Sequence, residues 1–286
     1  MHYVKKSIYF VIANTYKTQT SINTLNIMKT KEEIVNNWLP RYTGREIADF
    51  DKYVLLTNFT NYLDLFAKKF GTQVIGLDKN MPSVSAEGIT LINFGMGSPN
   101  AATIMDLLSA INPEAVLFLG KCGGLKKINK LGDIILPIAA IRGEGTSDQY
   151  MPPEVPALPA FQLVRAASAV VRDLGHDYWT GTVYTTNRRV WEWDEDFKNY
   201  LRQIRTMGVD METATLFTVA FKNKIPCGAM LLVSDQPMVA SGVKTRESDN
   251  KVTHNYVEDH LEMGIRTLKE IMNNCRSVKH LRFDED

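Results

Sequence analysis

Cysteine is scarce in this chain, and its three copies stand far apart: Cys122, Cys227 and Cys275 in 286 residues. An odd number, with no CxxC and no Cys/His spacing, argues against a disulfide framework and against a zinc or other metal site, and it fits a reducing cytoplasm. An excess of either charge is missing too. Lys and Arg number 33 against 32 Asp and Glu, so no bulk field recruits nucleic acid or an anionic membrane. An anionic ligand must therefore be met by local charges. No apolar run reaches the roughly 18 residues of a membrane span. The run Ile8 to Ala13 behind Lys5 and Lys6 is also too short for a signal sequence and lacks a small-x-small cleavage site. Residues 1–27 are expected to be a poorly ordered extension, with Met28 as an alternative start.

What the chain does have is 44% apolar and 23% charged residues, enough for one sizeable core. From Tyr53 strand and helix patterns alternate. "YVLLTNF" reads as a strand, "NYLDLFAKKF" as a helix and "GTQVIGL" as a second strand. "GITLINFGMGSPNAATIMDLLSAI" reads as strand, glycine turn and helix, with Ala101, Ile104, Leu108 and Ile111 on one face. Further strands are expected at "EAVLFLG", "GDIILPIAAI", "YWTGTVYT" and "CGAMLLVSD", and helices at "AFQLVRAASAVVRDL", "METATLFTVAFKN" and Tyr256 to Asn274. Near-continuous apolar strands separated by amphipathic helices imply a mostly parallel sheet covered on both faces, in one α/β domain over residues 28–286. The four prolines of "YMPPEVPALPAF" exclude a central strand there and leave an ordered loop.

Ligands of such sheets bind beyond the carboxyl ends of the strands, and four segments qualify. In "FGMGSPNAA", Gly95 and Gly97 let the backbone approach a ligand and Asn100 is placed to cap the next helix. "VLFLGKCGG" lacks the GxxxxGK[ST] spacing of a phosphate loop, and Cys122 has no histidine in a recognisable pairing, so a buried structural cysteine is the expectation. In "GVDMETATLF", a carboxylate of Asp210 or Glu212 suits either the vicinal hydroxyls of a sugar or a helix cap. In "MLLVSDQP", Asp235 ends a fully apolar strand. To carry a proton at neutral pH its pKa would have to rise about three units, roughly 4 kcal/mol, which burial can supply; a general acid and a turn aspartate both remain open.

Taken in order, GMGxP at Gly95, GxCGG at Gly120, GD at Gly132, GxVY at Gly181, DME at Asp210 and SD at Ser234 resemble the nucleoside phosphorylase and nucleosidase superfamily. Within it, "WLPRYTG", "LFLGKCGG", "IRGEGTSDQY", "TGTVYTTNRRVWEWD", "DMETATLF" and "VSDQPMVASGVKT" resemble the AMP nucleosidases in their short form. The resemblance covers about Ile34 to Phe283. It implies a single-domain, three-layer α/β/α fold with a central mixed, mostly parallel twisted sheet. It also implies hydrolysis of AMP to adenine and ribose 5-phosphate without metal or organic cofactor, in a homo-oligomer, by analogy a hexamer, with sites near subunit interfaces.

Carried over residue by residue, the resemblance makes Asp235 the acid toward the purine N7, with Ser234 beside it. Glu212 holds the ribose hydroxyls, Met211 packs under the sugar and Tyr184 lies against the base. The departures matter as much. Where phosphorylases hold phosphate with two arginines and a serine, this chain has Phe118, about Tyr62, and Lys121, which favours water over phosphate as nucleophile. Lys121, Arg142, Arg188, Arg189 and Arg41 are the candidates for the 5′-phosphate, Arg41 from a neighbouring subunit. Asp64, Tyr62 and Asn58 are left open as the group that handles the water. Two rivals stand beside hydrolysis: phosphorolysis with Lys121 as a substitute anchor, and a nucleotide-binding module without chemistry.

Overall fold

The computed structural model describes residues 29–274; the expected extension over residues 1–27, and with it Met28, lies outside them. Contacts separate a short unit, Met1–Ile34, from a large one, Val35–Asp286. In the short unit Thr30 and Glu33 cap each other's backbone amides, Thr30 N to Glu33 Oε2 at 2.8 Å and Glu33 N to Thr30 Oγ1 at 3.2 Å. This reciprocal box opens helix α1, Lys31–Thr43.

Among the described residues the large unit holds eight strands: β1 Tyr53–Thr57, β2 Ser83–Ala86, β3 Ile89–Asn93, β4 Ala115–Gly124, β5 Ile134–Gly143, β6 Tyr178–Thr186, β7 Gly208–Asp210 and β8 Cys227–Asp235. Between and after them lie α2 Thr60–Phe70, α3 Ser98–Leu107, α4 Phe161–Asp173, α5 Glu195–Gln203, α6 Thr213–Lys222 and α7 Arg246–Asn273. The strands form one sheet in the order β2-β3-β1-β4-β7-β6-β5-β8. Five of its pairings are parallel, and β2–β3, β4–β7 and β5–β8 are antiparallel. The expected mixed, mostly parallel sheet is therefore formed. Alternate residues of β4 face opposite ways: Val116 and Phe118 pack with α3 and α6, while Leu117 and Leu119 pack with α2, α4 and α7. Two apolar layers thus sandwich the sheet, the arrangement that near-continuous apolar strands require.

Beyond that pattern, β4 also pairs in parallel with β8, so β4, β7, β6, β5 and β8 close into a ring. Inside it backbones come close. A Cβ on Gly208 would stand 3.2 Å from the Ile135 side chain and 3.4 Å from Cys122 Sγ.

Some expected elements change. The strand expected over "GTQVIGL" does not form. Gly71 ends α2 in the left-handed conformation, and Gly76, at φ +74, sits where a Cβ would strike the Thr43 carbonyl at 1.9 Å. Only Ile75 bridges to Ser83. The last helix begins at Arg246 rather than Tyr256, because Thr245 and Ser248 form a second reciprocal cap. Asn100 lies inside α3, donating to the Met96 carbonyl at 3.0 Å; Gly97 occupies the cap position.

Candidate active site

One cleft opens at the carboxyl ends of the strands. Its walls come from the turn after β1 (Asn58, Phe59), the floor of β4 (Lys121 to Gly123), the end of β6 and its loop (Thr186, Arg188, Arg189, Trp191, Glu192), β7 into α6 (Val209 to Glu212), and β8 with its loop (Ser234, Asp235, Lys244). Met96 stands at its edge.

The "DME" segment joins β7 to α6, and its two carboxylates divide the work. Asp210 is buried and accepts from Thr185 Oγ1 at 2.7 Å, Thr213 N at 2.8 Å, Glu212 N at 3.3 Å and the Thr213 hydroxyl. It is the helix cap. Glu212 is thereby released from capping, and it makes no cap bond although it occupies the cap position of α6. Its carboxylate accepts instead from Gly97 N–H at 2.8 Å and Met211 N–H at 3.2 Å. Gly97 is the cap of α3, held at φ 93, a conformation open to glycine and strained for other residues. Two helix starts therefore converge on Glu212 and favour a negative charge there. Burial and the Asp210 charge oppose this and push its pKa up to about 8.

Asp235 owes its direction to an irregularity in the ladder. Along β4–β8, Cys122 pairs with Val233 and Gly123 with Asp235, so Ser234 is an extra residue, a β-bulge. In a regular strand neighbouring side chains point to opposite faces; here Ser234 Oγ donates to Asp235 Oδ1 at 2.8 Å. The bulge turns both side chains toward the cleft. Burial raises the Asp235 pKa, while the Ser234 hydrogen bond and the Lys244 and Arg189 charges hold part of the rise back.

Lys121 is buried on the cleft floor. Its ammonium lies 4.4 Å from the centre of the Phe59 ring, 3.0 Å from Thr253 Oγ1 and 3.4 Å from Asp249 Oδ1, and burial lowers its pKa. Lys244 shares Asp249 at 3.3 Å. Arg188 pairs with Asp194 at 2.6 Å and Arg189 with Glu192 at 3.2 Å. Phe118 is fully buried against Phe94. Tyr62 is fully buried, with its hydroxyl 2.7 Å from His260 Nδ1. The other ring nitrogen of His260 meets the Met230 carbonyl at 3.1 Å. A carbonyl only accepts, so Nε2 carries the proton and Tyr62 donates to Nδ1. Burial holds this histidine neutral, with its pKa at about 3. Cys122 is a buried thiol whose pKa burial raises far above the usual range.

Among the residues singled out in the sequence, Asp235, Glu212, Met211, Ser234, Lys121, Arg188 and Arg189 share the cleft, and Gly97 reaches it through its amide. Of the expected substrate ligands, Tyr184, Arg142 and Arg41 do not line it. Tyr184 is turned into an aromatic cluster with Phe197 and Tyr200 of α5. Gly143 leaves room for it, since a Cβ there would lie 2.2 Å from the tyrosine hydroxyl. The aromatic rings that line the cleft are Phe59 and Trp191. Arg142 spends its guanidinium on Ser147 Oγ, Asp148 and the carbonyls of Met151, Pro152 and Val155. It clamps the proline-rich loop, so the sequence-based expectation of a phosphate ligand is corrected. Arg41 lies in the last turn of α1, 6.0 Å from the Trp38 ring centre. Sequence reasoning missed Lys244, Trp191 and Glu192. The signal for the latter two was the "RRVWEWD" run opening on Asp194, which caps α5 by accepting from Phe197 N. Among the described residues no group of three His, Cys, Asp or Glu side chains is gathered as a metal site, and no helix is long and apolar enough to cross a membrane.

Comparison with known proteins finds the sequence pattern of the phosphorylase superfamily over residues 65–275. An AMP nucleosidase from Escherichia coli (strain K12) is 29% identical over 276 residues, covering 80% of this chain and 57% of that protein. The chain thus spans little more than half the length of that curated relative. A guanosine phosphorylase from Halorubrum lacusprofundi is 28% identical over 184 residues, covering 64% of this chain and 75% of its own. Among solved structures, an AMP nucleosidase from Bacteroides thetaiotaomicron VPI-5482 superimposes with a TM-score of 0.78 at 59% identity, covering 86% of this chain and 99% of that one. A uridine phosphorylase from Vibrio fischeri ES114 shares the fold at 21% identity, with a TM-score of 0.70 over 78% of this chain and 93% of its own.

Proposed function

The chain belongs to the phosphorylase superfamily, and from that membership and the chemistry of the cleft we propose that it hydrolyses the N-glycosidic bond of AMP, giving adenine and ribose 5-phosphate. The observation that carries this reading is the meeting of Glu212 and Asp235 in one cleft with Lys121, Arg188, Arg189 and Lys244, while Phe118 and Tyr62 are buried away from any anion. The 59% identity to the Bacteroides AMP nucleosidase supports it.

In this mechanism Asp235, whose pKa burial raises, gives a proton to N7 of the purine. The glycosidic bond then lengthens, and its electron pair flows into a ring that has become neutral on leaving. Glu212, ionised, accepts the two ribose hydroxyls and favours the positive charge that develops on the sugar. Met211 packs against the sugar face. The four cations are the candidates for the 5′-phosphate, the arginines by exchanging Asp194 and Glu192 for it. Trp191 offers a ring to the base.

A homo-oligomeric, cytoplasmic protein is part of the same proposal. Support comes from Arg41, which stands outside this chain's own cleft, and from Cys122 and Cys227, which are free buried thiols. The test is adenine release from AMP and from adenosine, each with and without inorganic phosphate. Release from AMP in phosphate-free buffer is the expected result. Strict dependence on phosphate, or a preference for adenosine, would return the chain to the phosphorolytic reading.

A further inference from the structure

We propose that Glu192 selects the base: its carboxylate accepts a hydrogen bond from the amine at C6 of adenine, so that the cleft takes 6-aminopurine nucleotides and turns 6-oxopurine nucleotides away. This rests on the nucleosidase reading above and adds to it the residue that reads the purine. Four carboxyl side chains line the cleft: Glu192, Asp210, Glu212 and Asp235. In that reading Asp210 caps α6, Glu212 takes the sugar and Asp235 takes the purine N7. Glu192 is left without a ligand.

The strands set where it stands. Gly123 of β4 pairs with Asp235 of β8 on one side and with Val209 of β7 on the other. Val209 belongs to the same apolar cluster as Trp191, and Met238, three residues past Asp235, packs against that cluster. Trp191 is thereby fixed at the acid's end of the cleft, and Glu192 comes next in the chain. Its carboxylate is turned by the Trp191 amide, which donates to Oε2 at 2.9 Å, and by Arg189, at 3.2 Å from Oε1. The side chain keeps 14% of its surface exposed, so a ligand in the cleft can reach it. Burial is the main cause of the raised Asp235 pKa, and the Arg189 and Glu192 charges act on it in opposite senses, in keeping with this placement.

A carboxylate has about four acceptor sites, and these two donors use two of them. Room for a further donor remains on both oxygens. In a purine, N7 and the group on C6 lie on one edge, so a base whose N7 meets Asp235 brings its C6 group to what stands beside Asp235. An amine there offers a proton to Glu192. A carbonyl oxygen offers only lone pairs, and two acceptors face to face repel. Arg189 has donors, but a 6-oxopurine can use them only by drawing Arg189 off Glu192. The Arg189 contact is already longer than the about 2.7 to 2.9 Å of a close charge-assisted bond. Whether Arg189 turns to a carbonyl or to the 5′-phosphate, Glu192 loses a donor, and only an amine at C6 replaces it.

Selection of this kind acts in the reaction as well as in binding. A proton arriving at N7 draws electron density from the C6 amine and makes its N–H a stronger donor. The bond to Glu192 is then tighter in the protonated base than in bound AMP, which lowers the barrier and not KM alone. Glu192 itself neither gains nor gives a proton.

The test is base release from AMP and from IMP, with purine riboside 5′-monophosphate, which has no group on C6, as the reference. Wild type should prefer AMP to IMP by about 10³-fold in kcat/KM. In Glu192→Gln, whose amide donates as well as accepts, that preference should fall about 10²-fold, with AMP losing and IMP gaining against the reference. A residue that only steadies its loop through Trp191 and Arg189 would slow all three substrates alike and leave the preference unmoved, which would overturn the proposal. If Glu192→Gln does not fold, wild type answers by itself: adenine should inhibit AMP hydrolysis at concentrations at least about 10-fold below hypoxanthine, and equal inhibition overturns the proposal. Wild type that releases no adenine from AMP overturns the nucleosidase reading and this proposal together. Wild type equally active on AMP and IMP overturns this proposal alone.

Discussion

At the scale of single residues, Asp210 and Glu212 carry the same charge in the same short segment, and the threonines decide what each does. Thr185 and Thr213 engage Asp210, which leaves Glu212 for the cleft. From local pattern alone capping was the better reading of this acidic pair, and the resemblance set Glu212 against the ribose; which carboxylate caps could not be read locally, because a partner as distant in the chain as Thr185 leaves no local signal. The pH behaviour follows. Glu212 ionises only as pH rises through about 8, so kcat/KM for AMP should gain a rising limb in that region, and Glu212→Gln should lose the limb along with most activity. The same shift bears on stability. With its folded pKa above its unfolded one, Glu212 binds more protons folded than unfolded, and its contribution weakens as pH rises toward 8. The melting temperature of Glu212→Gln relative to wild type should therefore climb between about pH 5 and about pH 9. For Asp235→Asn, kcat should drop by about 10² to 10⁴, the range for losing a general acid. AMP binding measured by calorimetry should persist; turnover near wild type would remove Asp235 from the acid role.

At the scale of elements, what the sequence made legible was whatever depended on local period. Strands β1, β3, β4, β5, β6 and β8 and helices α2, α3, α4 and α6 could be located from apolar runs and stripes. The three-residue β7, the bulge at Ser234 and the short β2 could not, since each exists through a partner strand rather than its own pattern. Tyr184 failed as a base contact for the same kind of reason. It lies in the expected strand, but α5 covers its ring, and α5 was not foreseen. Arg142 belongs here as well. A cation at a glycine-rich strand end suggested an anion, yet its partners are carbonyls of the proline-rich loop that follows. Arg142→Ala should lower unfolding free energy by about 1.5 to 3 kcal/mol, since the carbonyls of the proline-rich loop lose a charged donor. KM for AMP in the folded fraction should stay near wild type. A large KM rise without loss of stability would restore the phosphate role.

At the scale of the whole molecule, Arg41 is not among the residues that line the cleft, which makes assembly testable through chemistry. If Arg41 serves a neighbouring subunit, Arg41→Ala and Asp235→Asn are each inactive alone but damage different halves of a shared site. Mixed and reassociated, they should regain activity, because some interfaces then pair an intact Arg41 with an intact Asp235. Mixtures as inactive as their parents, with subunit exchange verified by mass, would confine each site to one chain.

The ring of five strands has a consequence for how the chain reaches its native state. β4 touches β1 early in the sequence, but its partner β8 arrives more than a hundred residues later, after β5, β6 and β7 have been made. Contacts this distant are slow to form, because loop closure must precede any gain from pairing. The last strand to enter closes the ring and carries Asp235 at its tip. Asp235 lines the cleft from the end of that strand, so the cleft lacks one of its buried carboxyl groups until the ring has closed.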